Sequence, residues 1–162
     1  MARKKLLVIF GPGGHAVQAL RLIEKLGKRY TYEYVLTKDD KTSIKDIRYN
    51  GKVYRVSEVR TKTDYSLLKI IFKFIPSSFQ ALWILLKSRP YSILTSGPAI
   101  CLHFIFLARL VGIKTIYLES WVRVKNSSKT GRLAYPFTDL FFVQWSELRK
   151  RFPKAIYAGR LG

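Results

Sequence analysis

The sequence of 162 residues predicts an α/β fold, a Rossmann-like doubly wound parallel sheet, on three observations. Short apolar runs of strand length alternate with stretches of helical spacing almost from end to end. The first of them, "KLLVIF", is a short apolar run of the kind a strand buried on both faces of a parallel sheet requires. It ends in a glycine turn that opens a helix, and with right-handed crossovers this order gives an open sheet covered on both sides.

The elements follow in order. Residues 5–10, "KLLVIF", read as the first strand. Gly11, Pro12, Gly13 and Gly14 make the turn, and 14–28 read as a helix with Val17, Leu20, Ile23 and Leu26 at helical spacing, ending at Gly27. Strand-like stretches at 32–37 and 52–57 are separated by the polar connection "KDDKTSIKDIRYNG". A helical zone then spans about 65–88 with a break expected at Pro76. A strand at 91–96, a helix over about 99–111 and strands at 114–120 and 139–144 complete the series. No internal repeat or low-complexity segment interrupts it. The length suits a single domain, 1–162.

Composition narrows the function classes. With 48% apolar and 25% charged residues the chain is globular in character. Its 30 Lys and Arg against 10 Asp and Glu leave a formal charge of +20, so an anionic partner is expected: nucleic acid, an anionic membrane surface or a phosphate-bearing substrate. Cys101, the one cysteine, lies in an apolar run, which excludes a disulfide framework and a thiolate metal cluster and suits the cytosolic side of a membrane. The apolar stretch in "MARKKLLVIFGPGG" is cut off too early for a signal peptide. Lys69, Lys73, Pro76 and Lys87 divide the best candidate for the roughly 20 apolar residues of a spanning helix, so a chain that meets a membrane would lie on it.

Ligands of such sheets bind beyond the carboxyl ends of the strands, which directs attention to three loops. In "GPGGH", Gly11, Gly13 and Gly14 let the backbone approach a ligand, and the amides and dipole of the helix start favour an anion such as a diphosphate. The full dinucleotide fingerprint, an acidic residue closing "YEYVLT" and a P-loop Lys-Ser/Thr pair are all missing, which disfavours NAD and nucleotide hydrolysis. The same stretch also fits a tight strand-to-helix turn with no ligand. In "TSGPAI", Ser96 and Gly97 reach the same edge, although Pro98 near a helix start is an ordinary structural device. In "YLESWVRV", Glu119, Ser120 and Arg123 follow a buried strand; the carboxylate could accept a proton or hold a sugar hydroxyl, or merely pair with Arg123.

His15 stands at the mouth of the sheet, as a general base, a phosphate contact or a polar cap on the first turn. His103, within "ICLHFIFLARL", reads as structural. No metal-ligand spacing is present, and no protein-bound metal or cofactor is expected.

The zone at about 65–89 carries more apolar surface than one packed face needs. Leu68, Ile71, Phe72, Ile75, Phe79 and Trp83, flanked by Lys69 and Lys73, fit an interfacial element on anionic lipid; a helix hairpin buried in a larger core or against a partner chain is the alternative.

Taken together, "GPGGH", "TSGP", "YLESWVRV" and "TGRLAYPFTDLFFVQW" resemble the acceptor-side, membrane-recruiting chain of the two-chain glycosyltransferases. That family includes the membrane subunit of the dolichol-pathway N-acetylglucosaminyltransferase and its bacterial PssD and EpsE counterparts. The glycine turn is also shared with MurG. The resemblance implies the amino-terminal half of a GT-B enzyme, with a UDP-sugar donor held on a separate, small donor-binding subunit. It further implies an inverting transfer to a polyprenyl diphosphate-linked saccharide at the cytoplasmic face of the cell membrane, with the chain peripheral or monotopic. Eukaryotic members begin with a spanning helix, and this sequence departs from them there. Within that picture His15 and Glu119 are the candidate bases, His15 the favoured one, while Gly11, Gly13, Gly14, Ser96, Gly97, Ser120 and Arg123 would surround the diphosphate. Two rivals remain: a non-catalytic membrane scaffold for the partner, and a basic nucleic-acid-binding protein, for which only the charge speaks.

Overall fold

The computed structural model describes residues 3–57 and 67–161, with the side chains of 67–74 outside that description. Seven parallel strands form one sheet in the order β3-β2-β1-β4-β5-β6-β7. They are β1 (Lys5–Ile9), β2 (Thr31–Thr37), β3 (Val53–Val56), β4 (Ser92–Thr95), β5 (Lys114–Leu118), β6 (Leu140–Val143) and β7 (Ile156–Tyr157). The order reverses between β1 and β4, and β1 pairs with both its neighbours in parallel register, Ile9 facing Val35 on one side and Thr95 on the other. That reversal is the switch point at which doubly wound sheets open a crevice.

The helices are α1 (Gly14–Leu26), α2 (Leu67–Ser88), α3 (Cys101–Leu110) and α4 (Lys129–Ala134). Right-handed crossovers place α1 on one face and α2, α3 and α4 on the other. Two cores result. On the α1 face Ala16, Ala19, Leu20 and Ile23 close over Leu6, Val8, Tyr34 and Leu36. On the opposite face Ala81, Ile84 and Leu85 of α2 and Phe104 and Ile105 of α3 close over Leu7, Ile9, Ile93 and Tyr117. Each such fully buried aliphatic or aromatic side chain contributes about 1.5–3 kcal/mol.

The expected parallel sheet is present, with every expected strand but β2 shorter than read from sequence, and with two additions, β7 and α4. β7 has only two residues and α4 six, too few to establish a period in sequence. The helix expected over about 99–111 is α3, trimmed at both ends. The expected break at Pro76 is corrected: α2 runs through it as one helix of 22 residues. An interior proline costs about 3 kcal/mol for a lost hydrogen bond and a crowded carbonyl, and the turns after it offset this by burying Ala81, Ile84 and Leu85 completely. Because α2 is one helix, the hairpin alternative for this zone falls with the break. The start expected near residue 65 lies outside the described residues.

Candidate active site at the carboxyl edge

The loops after β1, β4 and β5 meet at the carboxyl edge of the sheet. Gly13 has φ 71° and ψ −133°, a region essentially reserved for glycine, and this lets the chain turn from β1 straight into α1. No side chain caps α1 and its first turn has no acidic residue. A Cβ on Gly13 or Gly14 would meet nothing within 4 Å, so their backbone faces open space. Gly11 is buried instead, where a Cβ would press on Pro98 Cβ at 3.1 Å, and thus the first two loops touch.

His15 joins them. Its Nδ1 lies 2.6 Å from the carbonyl oxygen of Ser96, and Ser96 Oγ donates back to the carbonyl of His15 at 2.8 Å. A carbonyl can only accept, so Nδ1 carries the proton, and in the neutral ring Nε2 keeps its lone pair. The imidazole is half-buried. Gly97 completes the seat: at φ 98° its missing side chain leaves room for the Tyr117 hydroxyl, which a Cβ would approach to 2.6 Å. Burial first, then the carboxylate of Glu119, push the Tyr117 hydroxyl far above its ordinary range, so it stays protonated.

Glu119 is placed differently. It is 1% exposed. Oε1 accepts from the backbone N–H of Ser120 at 2.9 Å, and Oε2 accepts from Ser128 N at 3.3 Å and Ser128 Oγ at 3.0 Å. Ser128 in turn caps α4 by accepting from Gly131 N at 2.8 Å. A side chain at Gly131 would land on Glu119 Oε2, so the carboxylate is packed against the start of α4. Both carboxylate oxygens thus already accept hydrogen bonds inside the protein, which sets Glu119 apart from His15 as a candidate base. The ion pair with Arg123 is not formed, and Arg123 stands exposed.

Ser96 is buried, and Ser120 is half-buried with its N–H on Glu119. No hydrogen bond joins Ser120 or Arg123 to the glycine loop; the connection runs through Gln18. That residue, 1% exposed on α1, donates to the carbonyls of Leu118 and Glu119 at 3.4 and 3.3 Å and accepts from Trp121 N at 3.0 Å. Gln144 after β6 donates to the same Glu119 carbonyl at 3.1 Å. Neither glutamine was singled out from sequence. The available signal was a polar residue set among the buried Ala16, Ala19 and Leu20 of α1.

His103 behaves as expected of a structural residue: it is buried, its Nδ1 lies 2.8 Å from Ser78 Oγ, and burial pushes its pKa down to about 4. Burial also pushes the Cys101 thiol up to about 12, so it is no nucleophile. Among the described residues no cluster of His, Cys, Asp and Glu could hold a metal ion.

Of the membrane candidates, the side chains of Leu68, Lys69, Ile71, Phe72 and Lys73 lie outside the described residues. Ile75, Phe79, Trp83 and Leu86 are 52%, 69%, 55% and 57% exposed, one outward stripe of α2 at helical spacing. Lys87 Nζ sits 4.2 Å from the Trp83 ring centroid, holding a cation against the apolar stripe. Among the described residues no helix is long and apolar enough to cross a membrane.

A family model described as "Oligosaccharide biosynthesis protein Alg14 like" matches residues 6–161. The chain is 31% identical to the UDP-N-acetylglucosamine transferase subunit alg14 of Schizosaccharomyces pombe, over 97% of this chain and 83% of that protein. It is 29% identical to the corresponding mouse subunit, ALG14 of Mus musculus, over 97% and 82%. Among solved structures, Acinetobacter baumannii MurG superposes with a TM-score of 0.72 at 14% identity, over 98% of this chain and 44% of that one. The UDP-GlcNAc 2-epimerase of Neisseria meningitidis gives 0.72 at 15% identity, over 97% and 47%. The chain therefore spans a little under half the length of these two structures, and at such identities the likeness is one of fold.

Proposed function

The chain belongs to the Alg14-like family of oligosaccharide biosynthesis proteins, and from that premise we propose that it is the acceptor-side subunit of a heteromeric inverting glycosyltransferase. The donor, a UDP-sugar, is held by a small donor-binding partner chain. The acceptor is a polyprenyl diphosphate-linked saccharide at the cytoplasmic face of the membrane, in polysaccharide or glycan assembly. No cofactor enters the reaction through this chain.

The observation that carries the reading is the His15–Ser96 pair beside the open glycine backbone. With Nδ1–H held by the Ser96 carbonyl, Nε2 is the ring atom free to accept a proton. As the acceptor hydroxyl oxygen bonds to the anomeric carbon of the donor sugar, its proton passes to Nε2, and UDP departs with the electron pair of the broken bond. The Ser96 carbonyl stabilises the imidazolium that results, and such base catalysis contributes about 10²–10⁴-fold. The amides at Gly13 and Gly14 and the α1 dipole suit the acceptor diphosphate. Glu119 acts by holding Ser120 and the start of α4, and Arg123, exposed and free of carboxylates among the described residues, adds positive charge beside them.

The lipid tail of such an acceptor explains the α2 stripe. Ile75, Phe79 and Trp83 would dip into the interface while Lys87 stays among headgroups, and the excess of positive charge would raise the encounter rate with anionic lipid.

Reconstitution tests the proposal. The chain and its donor-binding partner, each inactive alone, should transfer sugar from a UDP-sugar to a polyprenyl diphosphate-linked acceptor when mixed, and Phe79→Glu with Trp83→Glu should release the complex from acidic vesicles. A mixture that stays inert with every UDP-sugar refutes the enzyme. Release from vesicles together with a rate indifferent to His15 would leave the scaffold reading instead.

A further inference from the structure

A second cavity opens on the α1 flank of the carboxyl edge, about 330 Å³ in volume and walled by Val17, Arg21, Trp121, Trp145 and Arg160. Its frame is rigid. Trp145 Nε1 donates to the carbonyl of Trp121 at 2.6 Å, which ties the loop after β6 to the loop after β5. Trp121 N is held in turn by Gln18 of α1.

Each indole carries a guanidinium. Arg21 Cζ lies 5.3 Å from the Trp121 ring centroid and Arg160 Cζ lies 4.6 Å from that of Trp145. Neither arginine pairs with a carboxylate among the described residues, and Glu24, one turn after Arg21 on α1, is taken by Arg48 at 3.0 Å. Stacking on an indole orients a guanidinium while leaving its in-plane N–H groups free, so two preset forks line one cavity. Planar donor forks of this kind match phosphoryl oxygens bidentately. The uncovered parts of the indoles suit the apolar face of a ring attached to the phosphate.

We propose that this cavity is a second diphosphate-binding site, taking a diphosphate that carries a ring or an apolar chain. The oxyanion chemistry rests on these four side chains alone; which carrier supplies it, the nucleotide donor or the lipid-linked acceptor, rests on the transferase reading.

Tryptophan emission of the full chain tests this, in a Trp83→Phe background so that only Trp121 and Trp145 report. The probes are UDP, farnesyl diphosphate and inorganic pyrophosphate, with KCl at matched ionic strength as control. A saturable change is expected with at least one diphosphate, and Arg21→Ala and Arg160→Ala should each weaken it about tenfold, the worth of one charge-assisted contact. Arg160→Lys, which keeps the charge and loses the fork, should recover only part. Saturation by UDP assigns the site to the donor and by farnesyl diphosphate to the acceptor. A response that KCl reproduces, or one the arginine variants leave unchanged, overturns the site. If the reconstituted pair still transfers sugar in that case, the transferase reading stands and this inference alone falls; arginine-dependent binding by a chain whose mixture never transfers sugar would be the converse.

Discussion

The loops after β1 and β5 leave the same edge of the same sheet, and each presents one candidate base, yet they are built in opposite ways. His15 is half-buried, one ring nitrogen held by a carbonyl and the other unspent, with open backbone at Gly13 and Gly14 beside it. Glu119 is 1% exposed, and both its oxygens accept hydrogen bonds from Ser120 and Ser128. Position in the fold selects both as candidates. Burial and existing hydrogen bonds separate a group with a ring nitrogen open to a substrate from one that holds two loops together.

Substitution at the two sites should therefore divide activity from stability. The largest effect expected is that of His15→Ala in the reconstituted transferase, a fall in kcat of about 10²–10⁴-fold with a loss of stability of only about 1 kcal/mol from the bond to Ser96. A variant that melted early but turned over normally would reverse the roles assigned to the two loops. Glu119→Ala comes next: it strands buried N–H and O–H donors and should cost about 3 kcal/mol in unfolding free energy. Glu119→Gln, able to satisfy part of the same donors, should cost less, and equal losses for the two would mean that packing rather than hydrogen bonding holds the β5 loop.

A third contrast uses the other histidine. His103 is buried with a folded-state pKa of about 4, below its ordinary 6.5. Its folded form resists the proton that the unfolded chain accepts, so its contribution to stability is present above pH 6.5 and is lost as the pH falls toward 4. Denaturant titrations should show stability declining by about 1.4 kcal/mol per pH unit across that window. His103→Gln should flatten the slope; a slope that survives it would move its origin elsewhere.

Much of the fold was legible because its signals are local. Apolar runs such as "KLLVIF" can only be strands buried on both faces, and Gly13 marks a turn that few other residues could make. The loops carrying His15, Ser96 and Glu119 were found by position, since topology alone places strand ends on one edge. What escaped were contacts between residues far apart in sequence: Gln18 reaching Trp121, Gln144 reaching Glu119, and Trp145 reaching Trp121. The break expected at Pro76 failed for a related reason, because the local cost of proline was offset by packing that only the assembled sheet supplies.

By itself the sequence determined a parallel sheet, a glycine-opened first helix, a basic surface and an α2 segment too apolar for one packed face, each a matter of composition and period along a few consecutive residues. The tertiary structure decided which groups keep unused hydrogen-bonding capacity. Among the described residues it left Nε2 of His15 and the guanidiniums of Arg21 and Arg160 without a hydrogen-bond or ion-pair partner, engaged both oxygens of Glu119, and turned Ile75, Phe79, Trp83 and Leu86 outward. The reason is physical: whether a polar group is satisfied depends on partners brought within about 3 Å by folding, and residues distant in the chain supply most of them.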